Sequence, residues 1–265
     1  MKMALSVIVM GAAGRMGAII ARLVVESDDL SLAAVLERPE SEARLAGYAA
    51  DGVIVSSDIS AVLPQCPGAV IIDFTAPEAT MATARAAAEN GNPIIIGTTG
   101  FSEEQIAELT ALAEKSLVFR SSNMSVGINV IMDILPQLTA LLGEAYDVEM
   151  TEIHHNQKKD APSGTALLLA EPLLKARGLS SADINTNRFD VREPRKHDEI
   201  GIQSLRGGDV VGVHTVYYMG PGERIELTHH AHSRENFANG ALRAARWISS
   251  QTPGRVYNMQ DVLHS

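Results

Sequence analysis

The chain has 265 residues, 46% of them apolar and 20% charged, which suits one large or two modest cores and excludes a disordered chain. Its net charge of −10 offers no basic field to gather nucleic acid or anionic lipid, so any anionic ligand must be held by local groups. The one cysteine, Cys66, excludes an intrachain disulfide and a multi-thiolate zinc site and favours a reducing compartment.

The start, "MKMALSVIVMGAAG", places Lys2 before an apolar run as a secretion signal does. That run, Ala4 to Met10, has only seven residues and leads without a break into a glycine pattern. No other segment approaches the ~18 apolar residues of a membrane span. A cytoplasmic protein with neither membrane nor nucleic-acid partners is expected.

"VIVMGAAGRMG" predicts a strand, a turn containing Gly11, Gly14 and Gly17, and a helix over 15–27. Glycines there let the backbone turn tightly and approach a pyrophosphate, whose charge the free amides of a helix start favour. The pattern departs from G-x-G-x-x-G because Ala12 holds the first position, and glycines at such a turn also serve packing alone. The second predicted strand, "SLAAVLE", ends at Glu37, about 20 residues beyond the last glycine. An acid there can hydrogen-bond the adenosine ribose diol, the alternative being a solvated strand end. Arg38 follows and is a candidate partner for a 2′-phosphate, so the pair admits NADH and NADPH alike.

Further along come a strand in "GAVIIDF", a helix in "EATMATARAAAEN", a strand in "NPIIIG", a helix in "EEQIAELTALAEKS" and a strand in "LVFRS". Continuous Val, Ile and Leu strands alternating with helices are what a parallel sheet buried on both faces requires. The strand ends "DFTAP" (73–77) and "GTTGF" (97–101) lie along the expected cofactor crevice, with Gly97 and Gly100 permitting close approach.

After "SSNMSVG" the pattern changes to a helix over 128–143, a strand in "YDVEMTEI" and a helix over 163–177 stopped by Gly178. Pro172 predicts a kink or an early break in the last of these. "GIQSLRGG", "VVGVHTVYYM" and "RIELTHHA" predict an antiparallel sheet, the last two joined as a hairpin through "GPGE". The closing helix, "RENFANGALRAARWISS", repeats Phe237, Ala241, Ala244, Ala245 and Ile248 at helical spacing and is expected to return to the first domain. The fold class expected is α/β, a Rossmann-like doubly wound parallel sheet with a second α+β domain built on a mainly antiparallel sheet. The first domain spans 1–125 plus 235–265, and the second 126–234.

The densest chemistry lies in "EIHHNQKKDAPSGTA", residues 152–166. Successive strand side chains point to opposite faces, so His154 and His155 need not share a task. Lys158 lies four residues after His154, near enough for both to reach one ligand if the loop curls. Ser163 or Thr165 is a candidate N-terminal cap, and a helix start of small residues beside Lys158 suits a carboxylate. For the lysines a solvated loop is the alternative, and for Ser163 and Thr165 ordinary capping. A zinc site from His154, His155 and Asp160 is disfavoured, since adjacent histidines seldom reach one tetrahedral metal and the lysines repel a cation. His229, His230 and His232 are read as a polar strand end, and no metal is expected.

These motifs together resemble the bacterial 4-hydroxy-tetrahydrodipicolinate reductases, the dihydrodipicolinate reductase family of the lysine pathway. The resemblance is carried by "GAAGRMG" (11–17), "DFTAPEA" (73–79), "GTTGF" (97–101), "SNMSVG" (122–127), "EIHHNQKKDAPSGTA" (152–166) and "RGGDVVGVHT" (206–215), in family order over nearly the whole chain. It implies NAD(P)H-dependent reduction of a small cyclic dicarboxylate to tetrahydrodipicolinate, with NADH and/or NADPH as cofactor. It further implies catalytic roles for His154 (acid/base) and Lys158 (proton donor), and substrate carboxylate binding by His155, Ser163, Gly164 and Thr165. Cofactor contacts are implied for Gly11, Ala12, Ala13, Gly14, Arg15, Met16, Gly17, Glu37, Arg38, Gly97, Thr98, Thr99, Ser122, Asn123 and Met124. Asn156 and Gln157 stand where some members carry basic residues, implying a lower local positive charge. The resemblance also implies a homotetramer formed through the second domain's sheet. The rival readings are another two-domain NAD(P)-dependent dehydrogenase and a non-catalytic nucleotide sensor.

Overall fold

The computed structural model describes residues 4–189 and 191–265. Lys2, in the leader-like start, lies outside the described residues, as does Asp190. In chain order the elements are β1 (Leu5–Met10), α1 (Arg15–Val25), β2 (Leu30–Leu36), α2 (Ala46–Ala50), β3 (Ile54–Ser56), α3 (Ile59–Val62), β4 (Val70–Asp73), α4 (Pro77–Asn90), β5 (Ile94–Ile96), α5 (Glu103–Ala113) and β6 (Val118–Arg120). They continue with α6 (Val126–Leu142), β7 (Asp147–His154), α7 (Gly164–Arg177), β8 (Ile184–Asn185), β9 (Ile200–Arg206), β10 (Gly212–Gly220), β11 (Glu223–Ala231), α8 (Glu235–Ile248), β12 (Val256–Tyr257) and α9 (Met259–Leu263). The described residues form two compact units, one up to Ser125 together with Glu235–Ser265, the other Val126–Arg234.

The first unit is Rossmann-like. Its seven strands lie in the order β12-β6-β5-β4-β1-β2-β3 and every pairing is parallel. Strand order reverses between β1 and β4, so the chain leaves the sheet there in opposite directions and opens a crevice at the strands' carboxyl ends. Val7, Ile8 and Val9 of β1 and Val70, Ile71 and Ile72 of β4 are wholly buried, as strands covered on both faces require. The closing helix α8 packs on α1 and buries Ala238, Gly240, Ala241, Ala244, Ala245 and Ile248, whereas Phe237 is only partly covered. Small residues on that face allow the close approach: a Cβ on Gly240 would lie 1.7 Å from the Met124 carbonyl oxygen.

The second unit departs from the expected antiparallel arrangement. Its sheet runs β11-β10-β7-β9-β8, with β10 antiparallel to both β7 and β11 but β9 parallel to β7 and β8 parallel to β9. The sheet is therefore mixed, although its longest ladder, β10–β11, is antiparallel. The reason is connectivity: β9 is reached from β7 through α7, and a helical crossover returns the chain in the same direction. The β10–β11 hairpin turns on Pro221 and Gly222, the latter at φ +80°. Helix α7 runs unbroken through Pro172, against the expected break, because Leu169, Ala170, Leu173 and Leu174 anchor it to the core on either side. Gly178 ends it at φ +66°.

One further expectation needs correcting. Val126–Ala145 is 20 residues long and, by length and composition alone, apolar enough to cross a membrane. In this fold α6 carries Asp133 and Pro136 and buries Ile128, Leu135 and Thr139, the Thr139 hydroxyl lying 2.7 Å from the Tyr218 hydroxyl. One face of it packs within the second unit, while Val130, Ile134 and Leu141 are exposed.

Candidate active site

Within the first unit, the glycine turn follows β1 directly. Gly11 takes φ +65°, a conformation that side chains other than glycine rarely adopt, so Gly11 rather than the Ala12 position supplies the tight turn. The Ala12 amide donates to the Leu36 carbonyl at 3.1 Å and ties the turn to β2. Gly14 caps α1, and Gly17 lets the helix lie on the turn: a Cβ there would stand 2.1 Å from the Gly11 carbonyl oxygen.

Glu37 lies just past β2 with its carboxylate turned inward, accepting the Ala13 amide at 3.1 Å and the Arg38 amide at 3.0 Å. Arg38 is largely exposed and pairs with Glu40 at 3.3 Å. A cavity of about 570 Å³ is lined here by Gly11, Ala13, Gly14, Glu37, Arg38 and Arg44, with Phe74 and Thr75 on its far wall. Arg44 and Ser41, which also lines the cavity, were missed from the sequence because they sit in a short 3-10 turn, Pro39–Leu45, that carries no motif. The cavity does not take in Ala12, Arg15, Met16, Gly17, Gly97, Thr98, Thr99 or the Ser122-Asn123-Met124 segment.

The neighbouring strand ends form a second layer of this crevice. Gly97 leaves room for Phe74, whose ring carbon would be 2.2 Å from a Cβ there. Asp73 is wholly buried at the end of β4; its Oδ1 accepts the Thr75 amide at 2.8 Å and the Thr75 hydroxyl at 2.6 Å. Burial pushes its carboxyl above the usual range against these bonds. Thr98 is buried beside it and accepts a hydrogen bond from Thr80 at 2.9 Å, while Thr99 is exposed. Ser122 is exposed, and Asn123 accepts the Ser125 amide through Oδ1 at 2.9 Å.

In the second unit the chemistry gathers at the end of β7. Strand alternation puts Val148, Met150, Glu152 and His154 on its buried face. Glu152 is wholly buried and receives Arg206 in bidentate fashion, Nη1 to Oε2 and Nη2 to Oε1, both at 2.7 Å. His154 Nδ1 lies 2.6 Å from Glu152 Oε2, and the Ser163 amide donates to Oε1 at 3.1 Å. Burial opposes charge on this carboxyl, but the bonds from Arg206, Ser204 and His154 outweigh it and hold it down at about 2. Because a carboxylate only accepts, His154 donates from Nδ1, and Nε2 is left as the nitrogen with a free lone pair. Burial lowers the His154 pKa below its ordinary value, with Lys158 and Arg206 adding to the effect and Glu152 opposing it.

Ser163 is the cap of α7, accepting the Ala166 amide at 3.2 Å, and its hydroxyl also lies 3.1 Å from His214 Nε2. Gly164 opens the helix in an exposed position, followed by half-buried Thr165. His214, on β10, has its ring edge-on to that of His154 with centroids 5.1 Å apart, and burial pushes it down to about 3, so it is neutral. Beyond the strand, the His155 amide donates to Val210, and Lys158 pairs with Asp160 at 2.9 Å. The structure thus brings His154 and Ser163 together through Glu152 and places His155, half-buried, just past the end of β7. Glu152, Arg206 and His214 were not singled out from the sequence, although the alternation of buried residues along β7 marks Glu152 as a partner of His154. Among the described residues no group of three or more His, Cys, Asp or Glu side chains is disposed to hold a metal ion.

Comparison with known proteins places this geometry among relatives. A family model described as "Dihydrodipicolinate reductase, N-terminus" matches residues 5–124, and one described as "Dihydrodipicolinate reductase, C-terminus" matches 127–263. The 4-hydroxy-tetrahydrodipicolinate reductase of Nitratidesulfovibrio vulgaris (strain DP4) is 60% identical over 98% of this chain and 100% of its own length. That of Lawsonia intracellularis (strain PHE/MN1-00) is 49% identical over the same shares. Among solved structures, the dipicolinate-bound dihydrodipicolinate reductase from Paenisporosarcina sp. TG-14 has the same fold, with a TM-score of 0.78 at 24% identity over 97% of this chain and 98% of that one.

Proposed function

Since the chain belongs to the dihydrodipicolinate reductase family, we infer that it reduces 4-hydroxy-tetrahydrodipicolinate, by way of dihydrodipicolinate, to tetrahydrodipicolinate in the diaminopimelate route to lysine. It is an NAD(P)H-dependent oxidoreductase. The observation that carries the substrate assignment to particular residues is the folding of the 152–166 stretch, in which His154 and the capped helix start meet at one buried carboxylate and Lys158, paired with Asp160, lies in the loop between them.

The first unit suits the dinucleotide. The cavity at the glycine turn, the close approach that Gly11 and Gly17 permit and the inward carboxylate of Glu37 fit an adenosine ribose and its pyrophosphate. Gly11–Gly17, Glu37 and Arg38 would hold that half, and Gly97–Thr99 with Ser122–Met124 the nicotinamide half. Bound NAD(P)H supplies the hydride. Glu37→Ala is expected to lower kcat/KM for NADH more than for NADPH, since a diol partner is lost while Arg38 stays. Steady-state comparison of the two cofactors in both proteins checks this, and an equal loss for both would take Glu37 out of cofactor discrimination.

The second unit would bind the substrate. The amides at Gly164 and Thr165, at the positive end of α7, are suited to one carboxylate, with Ser163 fixing the helix start and His155 and Lys158 flanking it. Reduction of the conjugated ring leaves negative charge on the carbon next to the C=N unit, and a proton must be delivered there. Lys158, an ammonium paired with Asp160, is the donor in this reading, because His154 is neutral near pH 7 and has its Nδ1 proton committed to Glu152. His154 acts beside it as the acid/base group through Nε2.

The same unit would carry the assembly. The sheet face turned away from α6 and α7 presents Ile153, Val213 and Tyr217 half-buried and Leu205 and Met219 more exposed, an apolar surface that a homotetramer would cover. A cytoplasmic location completes the reading. The decisive measurement couples the preceding aldolase to this protein: NADH absorbance should fall when freshly made substrate arrives. Unchanged absorbance with both cofactors would reject the assignment.

A further inference from the structure

The site contains a buried acid with no role in the mechanism so far. Glu152 opens the motif stretch, is wholly buried, and touches His154, Ser163 and Arg206 at once. A buried carboxylate unpaired with a cation is strongly unfavourable, so its bidentate partner Arg206 is what lets it stay charged. A charged Glu152 can only accept, which orients the His154 ring with Nδ1–H toward it. The opposite edge then faces the start of β10, where Gly212 has no side chain; a Cβ there would stand 3.1 Å from His154 Nε2. The glycine keeps that edge clear, and His154 remains slightly accessible, its side chain 10% exposed.

We propose that Glu152 is a positioning residue for the reaction: held by Arg206, it fixes the tautomer and orientation of His154 so that Nε2 faces the substrate, and it ties the same histidine to the carboxylate-binding start of α7 through the Ser163 amide. This rests on the reading of His154 as the acid/base group. The arrangement has the logic by which a buried acid orients a catalytic histidine, with the acid acting through the ring and not on the substrate. The groups that face His154 are Glu152 on its own strand, Arg206 on β9, His214 on β10 and Lys158 in the following loop. Of these, only Glu152 favours the protonated ring.

The test is Glu152→Gln in the full-length enzyme, alone and combined with His154→Ala. Glu152→Gln should lower kcat about 100-fold, near the lower end for acid/base catalysis, with substrate KM within roughly threefold and NADH binding unchanged. The His154 ionisation, followed by NMR of the labelled ring, should move to lower pH. The double variant should be no slower than His154→Ala alone, because a residue acting only through His154 has nothing left to position. Should Arg206 without its counterion unfold the protein, Glu152→Gln with Arg206→Met removes both charges and is expected to fold and to show the same loss. Native turnover in the Glu152 variants while His154→Ala is slow would overturn this proposal alone. So would a further tenfold loss in the double variant, which would mark a purely structural role. Native turnover in His154→Ala would overturn the acid/base reading and this proposal together.

Discussion

Lys158→Ala and His154→Ala are each expected to lower kcat at least about 100-fold while leaving NADH binding intact, because the change removes a proton-transfer group and nothing of the nucleotide site. The two should differ in how much they destabilise the fold. Lys158 is held by Asp160 outside the buried cluster, so its loss removes the donor and leaves the Glu152–His154 contact standing. His154→Ala empties the space between Glu152 and His214 and removes one hydrogen-bond partner of the buried Glu152 carboxylate. Its melting temperature should therefore drop more than that of Lys158→Ala. Stopped-flow single turnovers with NADH, alongside fluorescence titration of the cofactor, separate chemistry from binding. Near-native single-turnover rates in both variants would remove these residues from the chemistry.

Gly17→Ala should damage the nucleotide turn of the first unit severely. Its Cβ would lie 2.1 Å from the Gly11 carbonyl oxygen, 2.7 Å from the Gly11 carbonyl carbon and 2.8 Å from Ala12 Cα, all backbone atoms that no rotamer change can move. Helix α1 must then lift off the turn, at a cost of about 1–3 kcal/mol for an overpacked contact. The amides at the helix start move with it, so NADH affinity is expected to fall at least about tenfold, a loss of ~1.4 kcal/mol. Gly47→Ala is the control, since a Cβ there meets nothing within 4 Å. Chemical denaturation and cofactor titration of both variants make the measurement. Wild-type NADH affinity in Gly17→Ala would show that the glycine serves only the packing of α1.

Much of this protein was legible in one dimension, and the reasons are local. Runs such as Val7–Val9 and Ile94–Ile96 are apolar without alternation because both faces of a parallel strand are covered, and the structure buries all six residues. Gly178 was readable as the end of α7, and its start was narrowed to Ser163 or Thr165, because capping depends on a few neighbouring backbone groups. The direction of β9 was not readable, since its own residues alternate equally well beside a parallel or an antiparallel neighbour; the α7 crossover decides it. Nor could the hydropathy of Val126–Ala145 say whether that helix meets lipid or a sheet. Its contacts within the second unit, through Leu135 and Thr139, do.

The candidate site divides in the same way. The sequence by itself determined which residue types stand together: the glycine turn with Glu37 after it, and His154, Lys158 and Ser163 in one short stretch, because those groups are close along the chain. Only the tertiary structure decided what each of them faces. Arg206 and His214 reach the end of β7 from strands more than 50 residues away, and their arrival turns Glu152 from the first letter of a charged run into the buried centre of the cluster. A carboxylate's charge and a histidine's tautomer are set by such non-local partners and by exclusion of water, and neither is written in the order of the residues.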